Sequence, residues 1–427
     1  MTDAPRSRSR QLLVLACWCA LAAAGPVALY GQFPRVVSMR LDGARFLYDD
    51  FDMGVYFNTS RWAVTEEVLF REVKSEYPLA ANYLFAAVRV KSGRFTSFAE
   101  PLHRFTWLWM SCAWVVYVGL LSRVAAHARW PTLLLFAQPA VIFFTLVRFD
   151  IYPVALTFLA LQAASRDRHR TAALWLGLAV AVKGYPLFVL PSFAVFVWRR
   201  AGLKSAAVAS LIAMTPLVAA TAFVYSYAGK DGVLGPYKFH AVRGLDSGSS
   251  TYDAVSALGG TAAKRVVEWP RAVNALQAAA ALAAAGLLAL RRREDAFAGF
   301  VAAGGFALVA LLSLSPFYSP QFVMWLLPFA VFAGSRLLRV VMHVYLVATW
   351  LYFPLAFDMV LITVYAEKWV NVFKSAVVVM TACRLFVGLL ALVRLCRPRR
   401  PTGEPPAPAE AEAVRDGTTL LPPSASE

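Results

Sequence analysis

Long apolar blocks separated by short charged segments run from residue 11 to residue 396 of this chain. A helix crosses a hydrocarbon core of ~30 Å with about 20 apolar residues, because each residue adds ~1.5 Å of rise. Several blocks have that length, and the shorter ones fit kinked or partly re-entrant helices. The pattern therefore predicts an all-α polytopic membrane protein with about 12 transmembrane helices. The predicted spans are 11–30, 105–121, 131–147, 151–164, 171–183, 185–198, 203–226, 271–290, 296–313, 320–334, 338–356 and 369–394.

Clusters of lysine and arginine set the predicted orientation of these spans. Short loops on the cytoplasmic side of a plasma membrane are enriched in both residues. If the densest clusters all lie on that side, the spans between consecutive clusters must come in pairs, and both termini are cytoplasmic. These clusters are Arg166–Arg170, Arg199 and Arg200 with Lys204, Arg291–Arg293, Arg336 with Arg339, and Arg394–Arg400. The outer loops are then residues 31–104, 148–150, 227–270 and 314–320.

The two ends of the chain are predicted to lie outside the membrane domain. Residues 1–10 precede the first span, residues 11–397 form the transmembrane domain, and residues 398–427 form a tail rich in Pro, Ala, Glu and Ser. Such a tail lacks the apolar content to fold, which predicts disorder. The first apolar run also fits a signal peptide cleaved near Ala22–Ala24. An uncleaved span is favoured because the run is close to full spanning length.

Composition narrows the class of protein further. Apolar residues make up 59% of the 427 residues and charged residues 16%, whereas about 25% of a soluble chain is charged. The formal charge of +17 would suggest nucleic-acid binding in a soluble protein. Here the positive charges lie in short loops, so no nucleic-acid partner is expected. The five cysteines lack metal-ligand spacing and indicate neither a disulfide framework nor a zinc site.

Two short apolar segments are expected to depart from simple spans. Tyr77–Val90, in the first outer loop, is too short to cross the membrane, and counting it as a span would invert every later loop. We therefore predict an interfacial helix there. Lys183-Gly184-Tyr185-Pro186 separates two short spans, and Gly and Pro break helices. The sequence here predicts a bent helix pair whose turn lies at or just below the outer surface.

Carboxylates are concentrated just after the first span. Asp49, Asp50 and Asp52 lie within four residues, and neighbouring carboxylates raise one another's pKa, which suits one of them to accept a proton. Capping or turn formation is the alternative. Arg148 and Asp150 lie between two apolar blocks. Charges at such depth mark a pathway or site, or form an ion pair that fixes the loop.

Cationic candidates follow in two other outer segments. Lys183 ends an apolar run and could neutralise a phosphate, or extend its ammonium to the lipid headgroups. His240 and Arg243 could contact an anionic or hydroxyl-bearing ligand. The Gly and Ser residues that follow them equally fit a flexible loop.

The last outer turn contains side chains typical of sugar sites. Gln321 offers hydrogen bonds, and Tyr318 and Trp325 offer ring faces for stacking. An aromatic belt at the membrane interface is the alternative. With the predicted topology, all of these motifs lie on the same outer face of the membrane.

Taken in order, these motifs resemble the GT-C class of membrane glycosyltransferases, and within it glycosyltransferase family 87, the bacterial polyprenyl-phosphate-mannose-dependent mannosyltransferases. The matching elements are Asp52-Met53-Gly54-Val55-Tyr56, Tyr77-Pro78, Lys183-Gly184-Tyr185-Pro186, His240–Leu245 and Ser319-Pro320-Gln321-Phe322. The order of motifs extends over residues ~10 to ~395. Two departures stand out: Leu79 replaces the second proline of a Tyr-Pro-Pro element, and Gly248-Ser249 replaces a Glu-Ser pair. The second departure leaves the donor and acceptor preference open.

The resemblance implies a GT-C-like fold and an inverting transfer on the outer face. A hexose, most often mannose, would move from a polyprenyl-phosphate donor to a glycolipid or polysaccharide acceptor. The implied roles are Asp52 as general base with Asp50 in reserve, Lys183, Arg243 and His240 at the donor phosphate, and Gln321, Tyr318, Asp150, Arg148 and Tyr77 at the sugar or acceptor. No cofactor is required for this chemistry, although the three aspartates could hold a divalent ion.

Three other classes of function stay open at this point. A transporter or lipid flippase would carry polar residues near the bilayer midplane, often in inverted repeats with broken helices. The bent pair at Lys183 favours that reading, whereas the absence of an evident repeat disfavours it. Another lipid-linked transferase would need a nucleophile beside a base or metal, and the sequence offers no such set. A scaffold that has lost catalytic activity is the third alternative.

Overall fold

Helices make up most of the computed structural model, which describes residues 8–38, 40–41, 44–45, 50–94, 100–128, 130–242, 249–258, 270–291, 296–357 and 366–396. The chain divides into two units, Met1–Leu395 and Cys396–Glu427. Only Cys396 of the second unit is described, so the tail predicted over residues 398–427 lies outside the described residues. The account that follows concerns the first unit.

The first half of that unit contains eight α-helices within the described residues. They are α1 (Arg8–Ser38), α2 (Asp50–Thr59), α3 (Leu79–Ser92), α4 (Pro101–Ala125), α5 (Trp130–Phe136), α6 (Pro139–Val147), α7 (Ile151–Ala164) and α8 (His169–Val182). A two-residue antiparallel pair, β1 (Arg40–Leu41) and β2 (Ala44–Arg45), follows α1. A 3₁₀ turn at Ser60–Ala63 follows α2.

The second half continues the helical pattern with three irregular helical segments. The α-helices are α9 (Leu190–Ala201), α10 (Leu203–Val242), α11 (Thr251–Ala257), α12 (Pro270–Ala289), α13 (Ala296–Leu314), α14 (Leu327–Ala333), α15 (Arg336–Trp350) and α16 (Ala366–Cys396). The irregular segments are 3₁₀ turns at Tyr185–Val189 and Pro320–Leu326 and a π-helical turn at Leu351–Ala356.

The predicted all-α polytopic class agrees with these helices. Within the described residues, seven helices are long and apolar enough to cross a membrane, or up to eight if the pair α5 and α6, bent by 47°, forms one span. The apolar helices α7 and α8 and the segment Pro320–Ala333 are shorter. Each of the twelve predicted spans corresponds to a helix or a broken helix pair, whereas twelve crossings of the membrane stay a prediction.

Two helices extend well past their predicted ends at residues 30 and 226. Helix α1 continues to Ser38 and α10 continues to Val242. Apolar side chains such as Phe33 and Val233 lie beyond both predicted ends. Helix α10 is interrupted at Gly229, whose φ of +65° is readily available to glycine.

Two apolar cores organise the helices. The larger core contains buried side chains from every helix from α4 to α16. A smaller core joins α2 and α3 to α4 and includes Met53, Tyr56, Phe85 and Trp109. Because the smaller core also contains Phe149 and Val182, it ties the segment after α1 to the ends of α6 and α8.

Arginine contacts gather the predicted cytoplasmic clusters at one end of the helices. Arg200 forms two hydrogen bonds with the Asp167 carboxylate, at 3.0 and 2.7 Å. Arg199 donates to the Arg291 carbonyl, Arg291 donates to the carbonyls of Arg394 and Leu395, and Arg394 donates to the Ala333 carbonyl. We call this the basic end. Helices α8 and α10 both start there, whereas α7 and α9 end there.

Helices α8 and α10 make a close backbone contact midway along α8. A methyl group at Gly177 would collide with the carbonyl oxygen of Ala213. Only glycine permits this approach of the two helices. One turn further from the basic end, the same two helices separate and border a cavity.

Candidate active site

The cavity lies at the end of the helices opposite the basic end and has a volume of about 450 Å³. Its walls come from α2, the loop before α3, the end of α8, both halves of α10 and the segment 317–322. Most lining side chains are apolar. The polar or ionisable lining residues are Asp52, Tyr56, Glu76, Tyr77, Lys183, Thr221, Tyr237, Ser319 and Gln321.

Helix α2 presents Asp52 to this cavity because its apolar side chains face inward. Met53 and Tyr56 lie three residues apart and are both buried, as one face of a helix requires. The Tyr56 ring stacks on Phe85 with ring centroids 4.5 Å apart. The packing of this inner face fixes the rotation of α2, so Asp52 and Val55 line the cavity beside the edge of Tyr56.

Asp52 forms a buried ion pair with Arg148. The guanidinium lies 3.0 Å from the carboxylate, and the two side chains are 6% and 19% exposed. The Tyr56 hydroxyl also donates to this carboxylate at 3.4 Å. Arg148 ends α6 in an extended conformation, which lets its side chain reach α2. The more exposed partner is the carboxylate, which borders the cavity.

Lys183 forms a second buried ion pair, with Asp150. Its ammonium lies 2.7 Å from the carboxylate, and the two side chains are 15% and 0% exposed. The indole N–H of Trp325 donates to the same Asp150 oxygen at 2.6 Å. The other carboxylate oxygen of Asp150 has no hydrogen-bond partner among the described residues. Lys183 lines the cavity, and Asp150 lies behind it.

Three aromatic rings surround the Lys183 ammonium. Ring centroids of Phe149, Phe322 and Trp325 lie 4.2, 5.0 and 5.1 Å from its nitrogen. Trp325 is itself held between Tyr185 and Phe322, with centroid separations of 4.3 and 4.0 Å. The ring faces attract the cation, and the stacked set restricts where its charge can move.

The turn between α6 and α7 therefore connects both ion pairs. Arg148 pairs with Asp52 of α2, and Asp150, two residues on, pairs with Lys183 at the end of α8. The sequence suggested that Arg148 and Asp150 shape the acceptor side or pair to fix the loop. In the structure Arg148 binds Asp52 and Asp150 binds Lys183, and both of these partners line the cavity, so the turn sets the position of both.

Tyr77 lies beside these charges as a neutral group. Its ring meets the edges of Tyr56 and Phe149, with centroids 5.6 and 5.3 Å away. Burial, followed by the charges of Asp52 and Glu76, raises the pKa of the Tyr77 hydroxyl well above its ordinary value. Burial and the charge of Asp52 raise the pKa of Tyr56 in the same direction. Both hydroxyls therefore stay protonated and able to donate.

The turn after α13 divides its predicted sugar-site residues between two environments. Gln321 lines the cavity, where its amide oxygen accepts a hydrogen bond from Ser319. Tyr318 does not line this cavity. Its ring is fully buried, and its hydroxyl lies 2.6 Å from that of Tyr345. Side chains alternate in this extended turn, so Phe317 and Ser319 face the cavity and Tyr318 points away.

Three predicted site residues cannot be compared in the same way. Asp50 begins α2 and His240 lies near the end of α10, but their side chains lie outside the described residues. Arg243 lies outside the described residues altogether. Asp49 does as well, so a metal site formed by the three aspartates stays an open expectation. Among the side chains that are described, no group of three or more His, Cys, Asp or Glu residues could hold a metal ion.

Several cavity residues carried no signal in the sequence. Glu76 precedes Tyr77, and Thr221 lies in the middle of the apolar helix α10. Most of the wall from α10 is apolar, including Leu217, Ala220 and Val224, and nothing distinguishes these residues from lipid-facing ones. Phe149 was visible only as the residue between Arg148 and Asp150.

The cavity thus joins two chemically different parts. At one part, a carboxylate and an ammonium border the same space, each fixed by a buried partner. At the other, apolar side chains of α8 and α10 form a wall without charges. Such a site suits an amphipathic ligand that carries an anionic group next to a hydrocarbon chain.

Comparison with known proteins supports one family. The sequence model described as Glycosyltransferase family 87 matches residues 77–316, which is more than half of the chain. A comparison with curated proteins gives no match. The matched region contains Tyr77, the turn Arg148–Asp150, and Lys183, whereas Asp52 and Gln321 lie outside it.

Proposed function

Because the chain belongs to glycosyltransferase family 87, and is therefore a membrane glycosyltransferase, we propose that it transfers a hexose from a polyprenyl-phosphate donor to a hydroxyl of a glycolipid or polysaccharide acceptor. Mannose is the proposed hexose. The observation that carries the proposal is the pair of charged residues, Asp52 and Lys183, in one cavity that also has a long apolar wall.

The reaction exchanges one C–O bond for another. The acceptor oxygen attacks the anomeric carbon from the side opposite the phosphate, which inverts the configuration. The bond between that carbon and the phosphate oxygen breaks, and polyprenyl phosphate leaves with the bonding electrons. The acceptor proton moves to a base. The protein must therefore supply a carboxylate on one side of the sugar and positive charge on the other.

Asp52 is the proposed base. It is the carboxylate of the Arg148 pair that borders the cavity, and an ion pair requires its ionised form, which is the form that accepts a proton. Arg148 would hold the carboxylate in position, and Tyr56 would limit its rotation. Asp50 remains the reserve candidate because it starts the same helix.

Lys183 is the proposed partner of the leaving phosphate. Its ammonium is fixed by Asp150 and three ring faces, and a fixed cation stabilises a developing anion without reorganising. Arg243 and His240 are proposed as further phosphate contacts. Gln321 and Tyr77, which line the same cavity, would bind hydroxyl groups of the sugar. Side chains alone can neutralise a phosphate monoester, so no metal ion is required in this scheme.

The apolar wall accounts for the lipid part of the donor. Leu217, Ala220 and Val224 of α10 line the cavity, and outward side chains of the same helix, such as Leu211 and Val218, are 70% and 58% exposed. A helix that is apolar on both faces suits contact with lipid. We propose that the polyprenyl chain follows α10 from the cavity into the bilayer.

The proposed side is the outer face of the plasma membrane. The cavity lies opposite the basic end, where Arg200, Arg291 and Arg394 make their contacts. Lys and Arg favour the cytoplasmic side, so the cavity would open outward.

The test uses membranes that contain the full chain and radiolabelled polyprenyl-phosphate mannose. Transfer into the glycolipid and polysaccharide fractions should fall about 100-fold or more in Asp52→Asn, because a positioned base contributes ~10²–10⁴-fold. A chelator should leave the wild-type rate unchanged. Mass spectrometry of envelope glycans after loss of the gene would identify the sugar and the acceptor together.

Asp167→Asn is the matched control for this test. It makes the same chemical change at the basic end, and Asp167 has a φ of +55°, which asparagine also tolerates. Transfer should stay near the wild-type rate in this variant. Undiminished transfer in Asp52→Asn would remove Asp52 from the mechanism, and no transfer by the wild type from this donor would refute the proposed donor.

A further inference from the structure

Helix α16 contains a fully buried arginine that the proposed mechanism does not use. Arg384 has 0% of its surface exposed and forms no ion pair among the described residues. Its Nε and Nη1 groups are buried without a hydrogen-bond partner. A buried unpaired cation is unfavourable, so its other contacts must hold it where it lies.

These contacts join two segments that border the cavity end of the molecule. Arg384 donates to the Thr251 hydroxyl at 2.9 Å and lies over the Tyr318 ring, 4.2 Å from its centroid. Thr251 starts α11, directly after Ser250, which caps that helix. Tyr318 belongs to the turn after α13. One side chain therefore contacts both segments from a third helix.

Tyr318 is held at both its backbone and its side-chain hydroxyl. Ser249 donates to its backbone carbonyl at 2.7 Å, and its hydroxyl lies 2.6 Å from that of Tyr345. The residues before and after it, Phe317 and Ser319, line the cavity. Fixing Tyr318 in its pocket therefore fixes the direction in which its neighbours face.

The same turn continues to the aromatic rings that surround the Lys183 ammonium. Gln321 lines the cavity, and Phe322 lies 5.0 Å from the Lys183 ammonium. Phe322 also stacks on Trp325, whose indole binds Asp150. A shift of the turn would move the amide at the proposed sugar site and one ring face beside Lys183 at once.

We propose that Arg384 is a positioning residue that holds the segment 317–322 against the cavity through Tyr318 and Thr251, and so sets the affinity for the donor. The predicted effect on donor affinity rests on the proposed function, whereas the predicted role in holding the segment 317–322 does not. Arg384 and the turn at Tyr318 lie beyond residues 77–316, which the family model matches, so the inference concerns a part of the chain outside the match.

The first test compares Arg384→Met with Arg384→Lys in steady-state transfer from polyprenyl-phosphate mannose. Arg384→Met should raise KM for the donor roughly 10-fold or more, with a smaller change in kcat, because misplaced binding groups lose orientation. Arg384→Lys should recover part of this loss, because an ammonium can still lie over the Tyr318 ring. An unchanged KM in Arg384→Met would overturn the proposal.

The second test measures amide hydrogen exchange and does not depend on catalysis. Exchange in peptides covering residues 314–326 should become about 10-fold faster in Arg384→Met, whereas peptides of α9 should keep their rates. Phe196→Leu is the control for general destabilisation, because Phe196 is fully buried near the basic end. Uniform acceleration in Arg384→Met, or the same KM change in Phe196→Leu, would show a merely structural role and overturn the inference.

The two readouts separate this inference from the proposed function. If the wild type transfers no sugar from the donor, the proposed function fails. Faster exchange confined to residues 314–326 in Arg384→Met would then still support the proposal that Arg384 holds the segment 317–322. Unchanged exchange in residues 314–326 would overturn that proposal.

Discussion

The buried pair of Asp150 and Lys183 allows a quantitative test of how charge is held at this cavity. The Asp150 side chain is fully buried and that of Lys183 is 15% exposed, with 2.7 Å between carboxylate and ammonium. Asp150→Asn removes the negative charge and keeps an oxygen that can accept from Trp325. Lys183→Met removes the positive charge and keeps the apolar stem. Each variant leaves one buried charge without its partner.

The expected cost of each single change follows from that burial. Removing one member of a fully buried pair costs about 3–5 kcal/mol, because the other charge stays buried and uncompensated. Lys183 keeps some contact with the cavity and with three ring faces, so we expect about 2–4 kcal/mol for each single variant. The double variant buries neither charge. Its loss should be smaller than the sum of the two single losses by roughly 2 kcal/mol.

Unfolding of the full chain in mixed micelles, by titration with a denaturing detergent, measures these free energies. The control cycle uses Asp231→Asn and Lys238→Met, because that pair has the same residue types and a separation of 2.9 Å, but is 91% and 63% exposed. Exposed pairs contribute little, so the control should show no measurable coupling. Additive losses in the Asp150–Lys183 cycle would refute the view that this pair is a coupled, buried unit.

Two further predictions concern protonation and orientation. Tyr77→Phe should lower transfer about 10-fold, as expected for one lost hydrogen bond of ~1.4 kcal/mol. The alkaline limb of the pH–rate profile should stay unchanged, because the raised pKa of Tyr77 keeps its hydroxyl protonated throughout the assay range. An alkaline limb that disappears in this variant would contradict that protonation state. The orientation is tested with Asp231→Cys and Lys204→Cys, two exposed positions, in a background without the native cysteines. A membrane-impermeant maleimide added to intact cells should label the first variant and not the second. The reverse pattern would refute both the orientation and the outward-facing site.

Helix type and helix breaks were predictable from the sequence because they depend on local chemistry. Uncharged runs bounded by arginine predicted the helices, and Gly184 and Pro186 predicted the break after α8, where the structure ends the helix at Val182. The far ends of α1 and α10 were not predictable. Both helices contain prolines, and whether an apolar helix continues past a proline depends on the helices that pack around it.

The residues of the site were easier to find than their partners. Asp52, Lys183 and Gln321 stood out as polar residues beside apolar runs, and the structure brings them to one cavity. The pairing of Arg148 with Asp52 and of Asp150 with Lys183 depends on how α2, α6 and α8 pack, which spacing along the chain does not reveal. Tyr318 was grouped with the sugar residues because its type fits, but a buried pocket beside Arg384 holds its ring.

The contact between Gly177 and Ala213 has a consequence for the dimensions of the cavity. It joins the helix that carries Lys183 to the helix that forms the apolar wall, one turn below the point where the cavity opens. At that level the spacing of α8 and α10 is therefore set by two backbones in contact and not by large side chains. Substitutions in the lining would alter the local shape of the cavity, whereas a larger side chain at position 177 would push α8 and α10 apart beside the space proposed for the polyprenyl chain.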